Sequence, residues 1–457
     1  MALAHSSSLA AAAPPAPVTP TASALSASRP AEERALLEQV LARNPALARA
    51  WRAADAAAAR IDQARSLPDP TAGVNLFLLS PETRVGPQRL TVRGGQRLPW
   101  HGLRRLRAEA ARQAAAAAVA DVDAIALRQI TKARTLLAEL AFLAVQREVV
   151  EEEALHLARH EEAALARYTS GKGPQQAVVR LQSAVTKRQQ EVLQLDTRRA
   201  GLVAALNALR DAPADEPLPL LALPAPEKQR LDGEALLARA RVLRPDLHAA
   251  DAAIARQRAQ VALAERGDRP DVTLGLGYTL VDRREDRAGR LNPPQGNGGD
   301  ILAFTADVAL PLRRRRINAA LLEQQSLTFA AEEERRGVEA AIVRDIGEHL
   351  ARLPLLASEY TLLHEVLTAQ AEEALRSAEI GYSTGELNAL DLLDSEHVLF
   401  EVRTAVARTA ADFMIAVARL EGTIASPIEA QPAVVPDAPA PDAPAPEPAT
   451  EEIHHAQ

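Results

Sequence analysis

The chain has 457 residues, with 53 Lys and Arg against 60 Asp and Glu, which gives a formal charge of −7. It contains no cysteine, so disulfides, Cys-ligated metal sites, a Cys nucleophile and a lipid anchor on Cys are excluded. The mild acidity argues against a nucleic-acid-binding protein. Aromatic residues make up only 3% of the chain, which is dominated by Ala, Leu, Arg and Glu, and this composition favours long helices and coiled coils.

Both ends of the chain have the composition of disordered segments. Residues 1–29 are rich in Ala, Ser and Pro and lack the basic start and long apolar core of a secretory signal, although Ala10–Ala13 resembles the end of one. A trimmed or misassigned start and a plain disordered arm are the two interpretations of this segment. Residues 426–457 form an acidic tail with regularly spaced prolines, which cannot build a core.

Between these ends, a Pro-rich stretch at 212–230 divides the chain into two halves in which the same features recur in the same order. Each half, 30–211 and 231–425, is predicted to contain a helix, two strands, a very long helix and a final helix. We interpret the halves as two structural repeats that are joined by the Pro-rich linker.

The longest helices are predicted over about Trp100–Tyr168 and Leu312–Tyr382, and each would be roughly 100 Å long at about 1.5 Å per residue. No compact domain accommodates such a helix. Because the two shorter helices of each half together match the long one, we expect them to stack end to end along it. Pro354 is the one irregularity, since proline lacks an N–H and disrupts a helix interior.

Four segments alternate between apolar and polar residues, and this period of two predicts strands with one apolar and one polar face. They are Ala72–Leu78, Gln88–Leu98, Val272–Leu280 and Leu302–Leu310. A soluble sheet with one face on a helix is the ordinary interpretation. The long helices would run far from the sheet, however, so that lipid is the better candidate to cover the apolar face. Open sheet edges are not tolerated in hydrocarbon, and three copies of four strands would give twelve, an even number within the usual range for closed barrels.

The order and spacing of these features resemble the TolC-like outer membrane efflux proteins over about Ala31–Ile424. The resemblance rests on the duplication, the two Tyr-x-x-Gly turns after the long helices, and four short motifs. These motifs are Leu67–Pro70, Arg244–Leu247, Gln96–Pro99 and Val308–Pro311.

The resemblance implies a mainly α protein with a small β part. Three chains would form an α-helical periplasmic barrel and a 12-stranded outer-membrane β-barrel, with four strands from each chain. It implies a passive channel of a tripartite efflux system, with no enzymatic activity and no cofactor. The implied partners are two further copies of the chain, outer-membrane lipid, a periplasmic adaptor and an inner-membrane pump of the RND type.

The turns at Gly171 and Gly385 resemble the periplasmic tips of that family, where the adaptor docks. Glycine suits both positions because a tight helix–helix turn needs positive φ. The second turn has the sequence Gly-Glu-Leu, whereas the first has Gly-Lys-Gly and lacks the leucine. A structural turn without a partner is the alternative. The residues assigned to adaptor docking are Tyr168, Ser170, Gly171, Lys172, Tyr382, Thr384, Gly385, Glu386 and Leu387.

Asp391 and Asp394 follow the second turn and lie three residues apart on one helix face. The resemblance implies that such carboxylates form rings that narrow the periplasmic aperture of the tunnel. Six carboxylates from three chains would raise one another's pKa values and attract cations. An ordinary solvated helix face is the alternative.

Three residues are assigned to the membrane interface, namely Trp100, Arg313 and Arg314, because aromatic and basic side chains next to strands suit the lipid headgroup boundary. An ordinary packing role for the tryptophan is equally compatible with the sequence.

His156 and His160 are spaced i, i+4 and could bind a metal ion. A solvated face is nevertheless the favoured interpretation for them and for Glu151–Glu153, and no metal site is predicted.

The cargo stays open between metal cations and drugs or other small molecules. The segment Pro81–Gln88 and the pair Pro99-Trp100 are similar to the branch that serves heavy-metal pumps. A protein of a different class, a soluble coiled-coil scaffold or adaptor with a small sheet domain, is the competing hypothesis. Such a scaffold would not need four uniformly amphipathic strands.

Overall fold

The structure of the protein is a computed structural model that describes residues 29–428. Ala10–Ala13 and nearly all of the two predicted disordered ends lie outside the described residues. Within them, the chain is mainly helical and contains one small sheet, as the sequence predicts.

The first half begins with two short helices that are separated by Asn44. The Asn44 side chain accepts hydrogen bonds from the N–H groups of Ala46 and Leu47 and thereby caps the second helix, which has Pro45 at its first position. The elements of this half are α1 (Ala31–Arg43), α2 (Pro45–Arg65), β1 (Thr71–Leu76), β2 (Glu82–Thr83), β3 (Gly86–Leu98), α3 (Leu103–Thr169) and α4 (Gln175–Leu209).

Residues 212–232 contain no helix or strand and lead into the second half. Its elements are α5 (Gly233–Leu243), α6 (Pro245–Glu265), β4 (Asp271–Val281), α7 (Arg287–Leu291), β5 (Ile301–Ala309), α8 (Arg314–Thr361), α9 (Thr368–Thr384) and α10 (Ala389–Ile424). A π-helical segment, Leu362–Leu367, joins α8 to α9. The second long run thus continues through Pro354 and becomes irregular about two turns later.

Helix α3 runs through the centre of the helical body. Helices α1 and α2 pack along its first part and α4 packs along the rest, while α6 and α10 also lie against it. Helix α8 in turn packs on α6 and α10. The buried apolar residues form several separate clusters along the helices because the body is elongated. None of the helices within residues 29–428 combines the length and the apolar character that crossing a membrane requires.

A buried ion-pair network holds both ends of the described chain to the middle of α3. Arg29 Nη2 lies 2.6 Å from Glu421 Oε2, and Arg134 Nε lies 3.0 Å from Glu33 Oε1. Arg134 also contacts Glu421, whose other carboxylate oxygen accepts a hydrogen bond from the N–H of Ile428 at 3.0 Å. Alternating charges offset the cost of burying each group.

The sheet is antiparallel in the order β1-β3-β4-β5, with β2 paired to β3 beside it. All four predicted strands are present, with ends that differ by at most two residues, and β2 is an addition that the sequence did not suggest. In the observed register, Val92 lies opposite Val74 and Tyr278, and Leu276 lies opposite Phe304, so that apolar side chains share one face.

This apolar face is uncovered in the single chain. Leu76 is 68% exposed and Phe304 is 71% exposed, and the described helices do not pack against them. Strands β1 and β5 are the two edges, each with one side of its backbone unpaired within the described sheet.

Candidate functional site

The first turn, Tyr168–Pro174, joins α3 to α4. Gly171 has φ of +73°, and the N–H of Lys172 donates to the carbonyl oxygen of Arg167 at 2.8 Å. This bond satisfies one of the last carbonyl groups of α3. Glycine is needed here because a side chain would strain the left-handed conformation. The four predicted docking residues of this turn, Tyr168, Ser170, Gly171 and Lys172, are all exposed.

The second turn, Tyr382–Asn388, joins α9 to α10 and is more tightly organised. Gly385 has φ of +89°, and the N–H groups of Glu386 and Leu387 donate to the carbonyl oxygen of Gly381 at 2.9 and 3.0 Å. The Leu387 side chain folds back on Gly381, where a Cβ atom would lie only 2.8 Å from Leu387 Cδ1. Thr384, Gly385, Glu386 and Leu387 are exposed.

Arg167 brings the two turns together. Its guanidinium carbon lies 5.0 Å from the centroid of the Tyr382 ring, and its Nη1 donates a hydrogen bond to the Tyr382 carbonyl oxygen. Tyr382 is half-buried and packs against a buried cluster that includes Leu375 and Leu392. Tyr382 therefore acts as an anchor, whereas Tyr168, which is 43% exposed, presents its ring to solvent.

Asp391 and Asp394 are both exposed on the first turns of α10, and neither forms an ion pair with any residue in 29–428. Asp391 has a structural role as well. Its carboxylate accepts the Asn388 N–H at 3.2 Å, while the Asn388 side chain accepts the N–H groups of Leu390 and Asp391, which is a capping box. The predicted pair thus lies next to the second turn.

Glu396 lies one turn further along α10 and is fully buried. His156 Nδ1 is 3.6 Å from its Oε1, and His160 Nε2 is 3.7 Å from its Oε2. Burial, together with the nearby carboxylates of Glu153 and Glu379, raises the pKa of Glu396 to about 8. The glutamate is therefore largely neutral at pH 7.

The prediction of a solvated face for His156, His160 and Glu153 is wrong. His160 is largely buried, His156 is half-buried, and Glu153 is buried and paired with Arg188 at 3.0 Å. The misassignment has a simple cause, since the glutamate that the histidines face is more than two hundred residues away in the sequence. No group of three or more His, Asp or Glu side chains in residues 29–428 is arranged to hold a metal ion.

The predicted interface residues cluster where the sheet meets the helices. The backbone N–H of Trp100 donates to Asp271 Oδ1 at 3.3 Å, and the guanidinium of Arg269 lies 5.4 Å from the centroid of the Trp100 ring. Arg314 pairs with Asp268 at 3.6 Å, and Arg313 is exposed directly before α8. Basic side chains and one half-buried aromatic ring thus follow the strands.

Arg167 and Glu396 are the functional candidates that sequence reasoning missed. Arg167 directly precedes Tyr168 of the predicted docking set, so the sequence places it at the first turn. The sequence does not show that its partner is Tyr382. Glu396 carries no local pattern that distinguishes it from an exposed helix glutamate.

The second half of the chain, residues 236–426, matches the family model of the outer membrane efflux proteins. Over these residues, the chain is similar to the outer membrane efflux proteins. Its function is that of an outer membrane channel component of tripartite efflux systems, and it is not an enzyme. Its place is the outer membrane, with a large periplasmic portion.

Solved structures extend the likeness of this efflux protein to almost the whole described chain. The outer membrane protein VceC from Vibrio cholerae is 22% identical with a TM-score of 0.70, covering 87% of this chain and 97% of that one. The MtrE outer membrane channel of Neisseria gonorrhoeae is 20% identical with a TM-score of 0.65, covering 86% and 89%. The CmeC outer membrane channel of Campylobacter jejuni is 13% identical with a TM-score of 0.68, covering 87% and 86%. At these identities the likeness concerns the fold, and it confirms the predicted TolC-like architecture of long helices with a small sheet. No curated protein matches the chain.

Proposed function

We propose that three copies of this efflux protein assemble into a passive duct. The four strands of each copy would close a 12-stranded barrel in the outer membrane, and the helices would form a periplasmic tunnel. The two halves of the chain, 30–211 and 231–425, would be structural repeats that contribute equivalent parts of the wall. An inner-membrane pump of the RND type and a periplasmic adaptor would deliver the cargo.

The uncovered face of the sheet is the observation that carries the proposal. An exposed row that includes Leu76, Leu276 and Phe304 is costly in water and stable in lipid. The unpaired edges of β1 and β5 require partners there, because unsatisfied backbone groups are not tolerated in hydrocarbon. Pairing β1 of one copy with β5 of the next satisfies both requirements at once.

The other end of the helical body supplies the proposed contacts with the delivery machinery. The exposed residues of the first and second turns would receive the adaptor, and Leu387 would provide an apolar contact that the first turn lacks. Asp391 and Asp394 of three copies would line the aperture, and their carboxylates would favour cations at the entrance. Trp100, Arg313 and Arg314 would mark the periplasmic boundary of the membrane.

The cargo proposed for the duct is either a metal cation or another small molecule. A duct does not have to recognise what passes through it. The similarity of Pro81–Gln88 to the heavy-metal branch favours metal cations, and the absence of a metal-holding group in residues 29–428 is compatible with both cargoes.

Cysteine cross-linking tests the barrel directly, because the natural chain has no cysteine. Asn75→Cys in β1 would be combined in turn with Ala303→Cys, Thr305→Cys and Asp307→Cys in β5. The two edges of one sheet are three strand spacings apart, about 14 Å, which is too far for an intrachain disulfide. We expect mild oxidation of membranes from cells that express the full chain to give covalent dimers and trimers for at least one pair.

The matched control is the pair Thr91→Cys and Thr279→Cys. Their hydroxyl oxygens are 2.9 Å apart on neighbouring strands of one chain, so oxidation should give a monomer of altered mobility. If all three edge pairs stay monomeric while the control pair oxidises, the edges do not meet and the barrel is wrong. Recovery of the chain in the soluble fraction after an alkaline wash would instead favour the coiled-coil scaffold.

A further inference from the structure

Glu396 is unusual because it is buried without a hydrogen-bond partner. Neither carboxylate oxygen has one among residues 29–428, and the side chain has no exposed surface. His156 Nδ1 lies 3.6 Å from Oε1 of the carboxylate, and His160 Nε2 lies 3.7 Å from Oε2. These separations are too long for direct hydrogen bonds but short enough for strong electrostatic coupling.

The surroundings do not otherwise compensate a charge on Glu396. Phe400, which is buried, places its ring edge-on against His156 with 5.7 Å between centroids. The other ionisable groups around the site come from four helices, namely Glu152, Glu153 and Arg159 of α3, Arg188 of α4, Glu379 of α9, and His397 and Arg403 of α10.

Most of these groups already have partners of their own. Arg188 pairs with Glu153 at 3.0 Å, and Arg403 pairs with Glu152 at 3.0 Å. Both cations are thereby committed to other carboxylates. Glu153 and Glu379 act on Glu396 in the opposite sense, since both raise its pKa. Within residues 29–428, the basic groups that lie directly against the Glu396 carboxylate are the two histidines.

We propose that Glu396, His156 and His160 form a proton-operated latch between α3 and α10, close to the aperture of the duct. The latch holds when Glu396 carries a proton and the imidazole of His160 is neutral. Loss of that proton to solvent, or gain of a proton by His160, places an uncompensated charge between the helices and loosens them. The inference rests on the proposed duct, because Asp391 and Asp394 lie at the start of the same helix.

Glu396 and His160 contribute to stability with opposite pH dependence. The Glu396 contribution is lost in alkali (the alkaline limb), and the His160 contribution is lost in acid (the acid limb). The pKa of Glu396 is raised from 4.5 to about 8, so its contribution to stability is fully present below pH 4.5 and is lost as the pH rises towards 8. Burial lowers the pKa of His160 from 6.5, an effect that Glu379 opposes, so its contribution is present above pH 6.5 and is lost as the pH falls. The contact between α3 and α10 should therefore be strongest at intermediate pH, and it should weaken both in alkali and in acid.

Hydrogen exchange of the full chain in detergent, corrected for the intrinsic rate at each pH, measures the latch in peptides from 150–164 and 392–404. We expect protection in the natural chain to fall by up to about tenfold per pH unit between pH 6 and 8. Glu396→Gln, which mimics the protonated acid, should abolish this fall. Glu401→Gln removes an exposed carboxylate from the same helix and should leave the fall unchanged.

His160→Gln supplies a second variant, which should reduce the acid limb and keep the alkaline one. An alkaline fall in Glu396→Gln equal to that of the natural chain would overturn the latch. Protection from exchange by added Zn²⁺ in the natural chain, but not in His160→Gln, would also overturn the latch. The three side chains would then form a metal site.

Conductance in planar bilayers separates the two proposals. A conducting channel whose exchange is independent of pH would sink the latch and leave the duct intact. A pH-dependent exchange without any conductance would support the latch as a property of the helices and sink the duct.

Discussion

The first and second turns have the same number of residues and each contains a glycine with positive φ, yet they are stabilised differently. The second turn supports itself, because Leu387 packs on Gly381 and Asn388 forms a capping box with Asp391. The first turn has Gly173 in place of the leucine, and Pro174 precedes α4 without a side-chain cap among the described residues.

Because of this difference, the two turns would not be equivalent surfaces for the proposed adaptor. Arg167, which directly precedes the first turn, contacts the ring and the carbonyl oxygen of Tyr382 in the second turn. The order of the first turn therefore depends on the second. An adaptor would meet a rigid apolar contact at the second turn and a more mobile polar one at the first. Substitutions that loosen the second turn should therefore also affect the first, whereas the reverse effect should be weak.

The largest expected effect comes from Gly385→Val. A β-branched residue at φ of +89° is strained by about 1–2 kcal/mol, and it also disturbs the two hydrogen bonds to the Gly381 carbonyl. Hydrogen exchange in the first turn of α10 should speed up by roughly tenfold or more. Gly171→Val is the matched control, with the same strain but a single hydrogen bond to disturb, from the Lys172 N–H to the Arg167 carbonyl oxygen. Equal effects in both turns would contradict the difference described above.

A smaller effect is expected from Asn388→Ala, which removes the cap of α10. Such a loss costs about 1 kcal/mol, and local exchange at Leu390 and Asp391 should report it. Pro174→Ala at the corresponding position before α4 should change exchange there by less than about 0.5 kcal/mol, since no cap is lost. A comparable loss of local stability at both sites would show that the effect of Asn388→Ala does not come from the capping box.

The smallest effect is the coupling between Arg167 and Tyr382. A double-mutant cycle of Arg167→Ala and Tyr382→Leu, measured by exchange in residues 168–174, should give about 0.5–1 kcal/mol. Arg159→Ala combined with Tyr382→Leu is the control, because Arg159 is exposed two turns earlier on α3. Coupling near zero for the Arg167 pair would mean that the two turns are independent.

Local patterns made the sheet and the turns predictable. Alternation of apolar residues in Val272–Leu280 fixes which side chains share a face, and glycine at 171 and 385 is demanded by the backbone of a tight turn. Pairings across the sequence were not predictable in this way. The contacts of Arg167 with Tyr382 and of Glu396 with His156 join residues more than two hundred positions apart. They form because α10 packs against α3 and α9 packs against α10.

The ion-pair network around Glu421 fixes where the polypeptide enters and leaves the helical body. Arg29 and the backbone of Ile428 meet the same carboxylate beside Arg134, roughly 50 Å from either end of α3. A circularly permuted chain that is opened within 212–232, with residue 428 linked to residue 29, would keep every described helix and strand intact. A domain fused at residue 29 or at residue 428 would lie beside the middle of α3, leaving both the sheet and the turns clear.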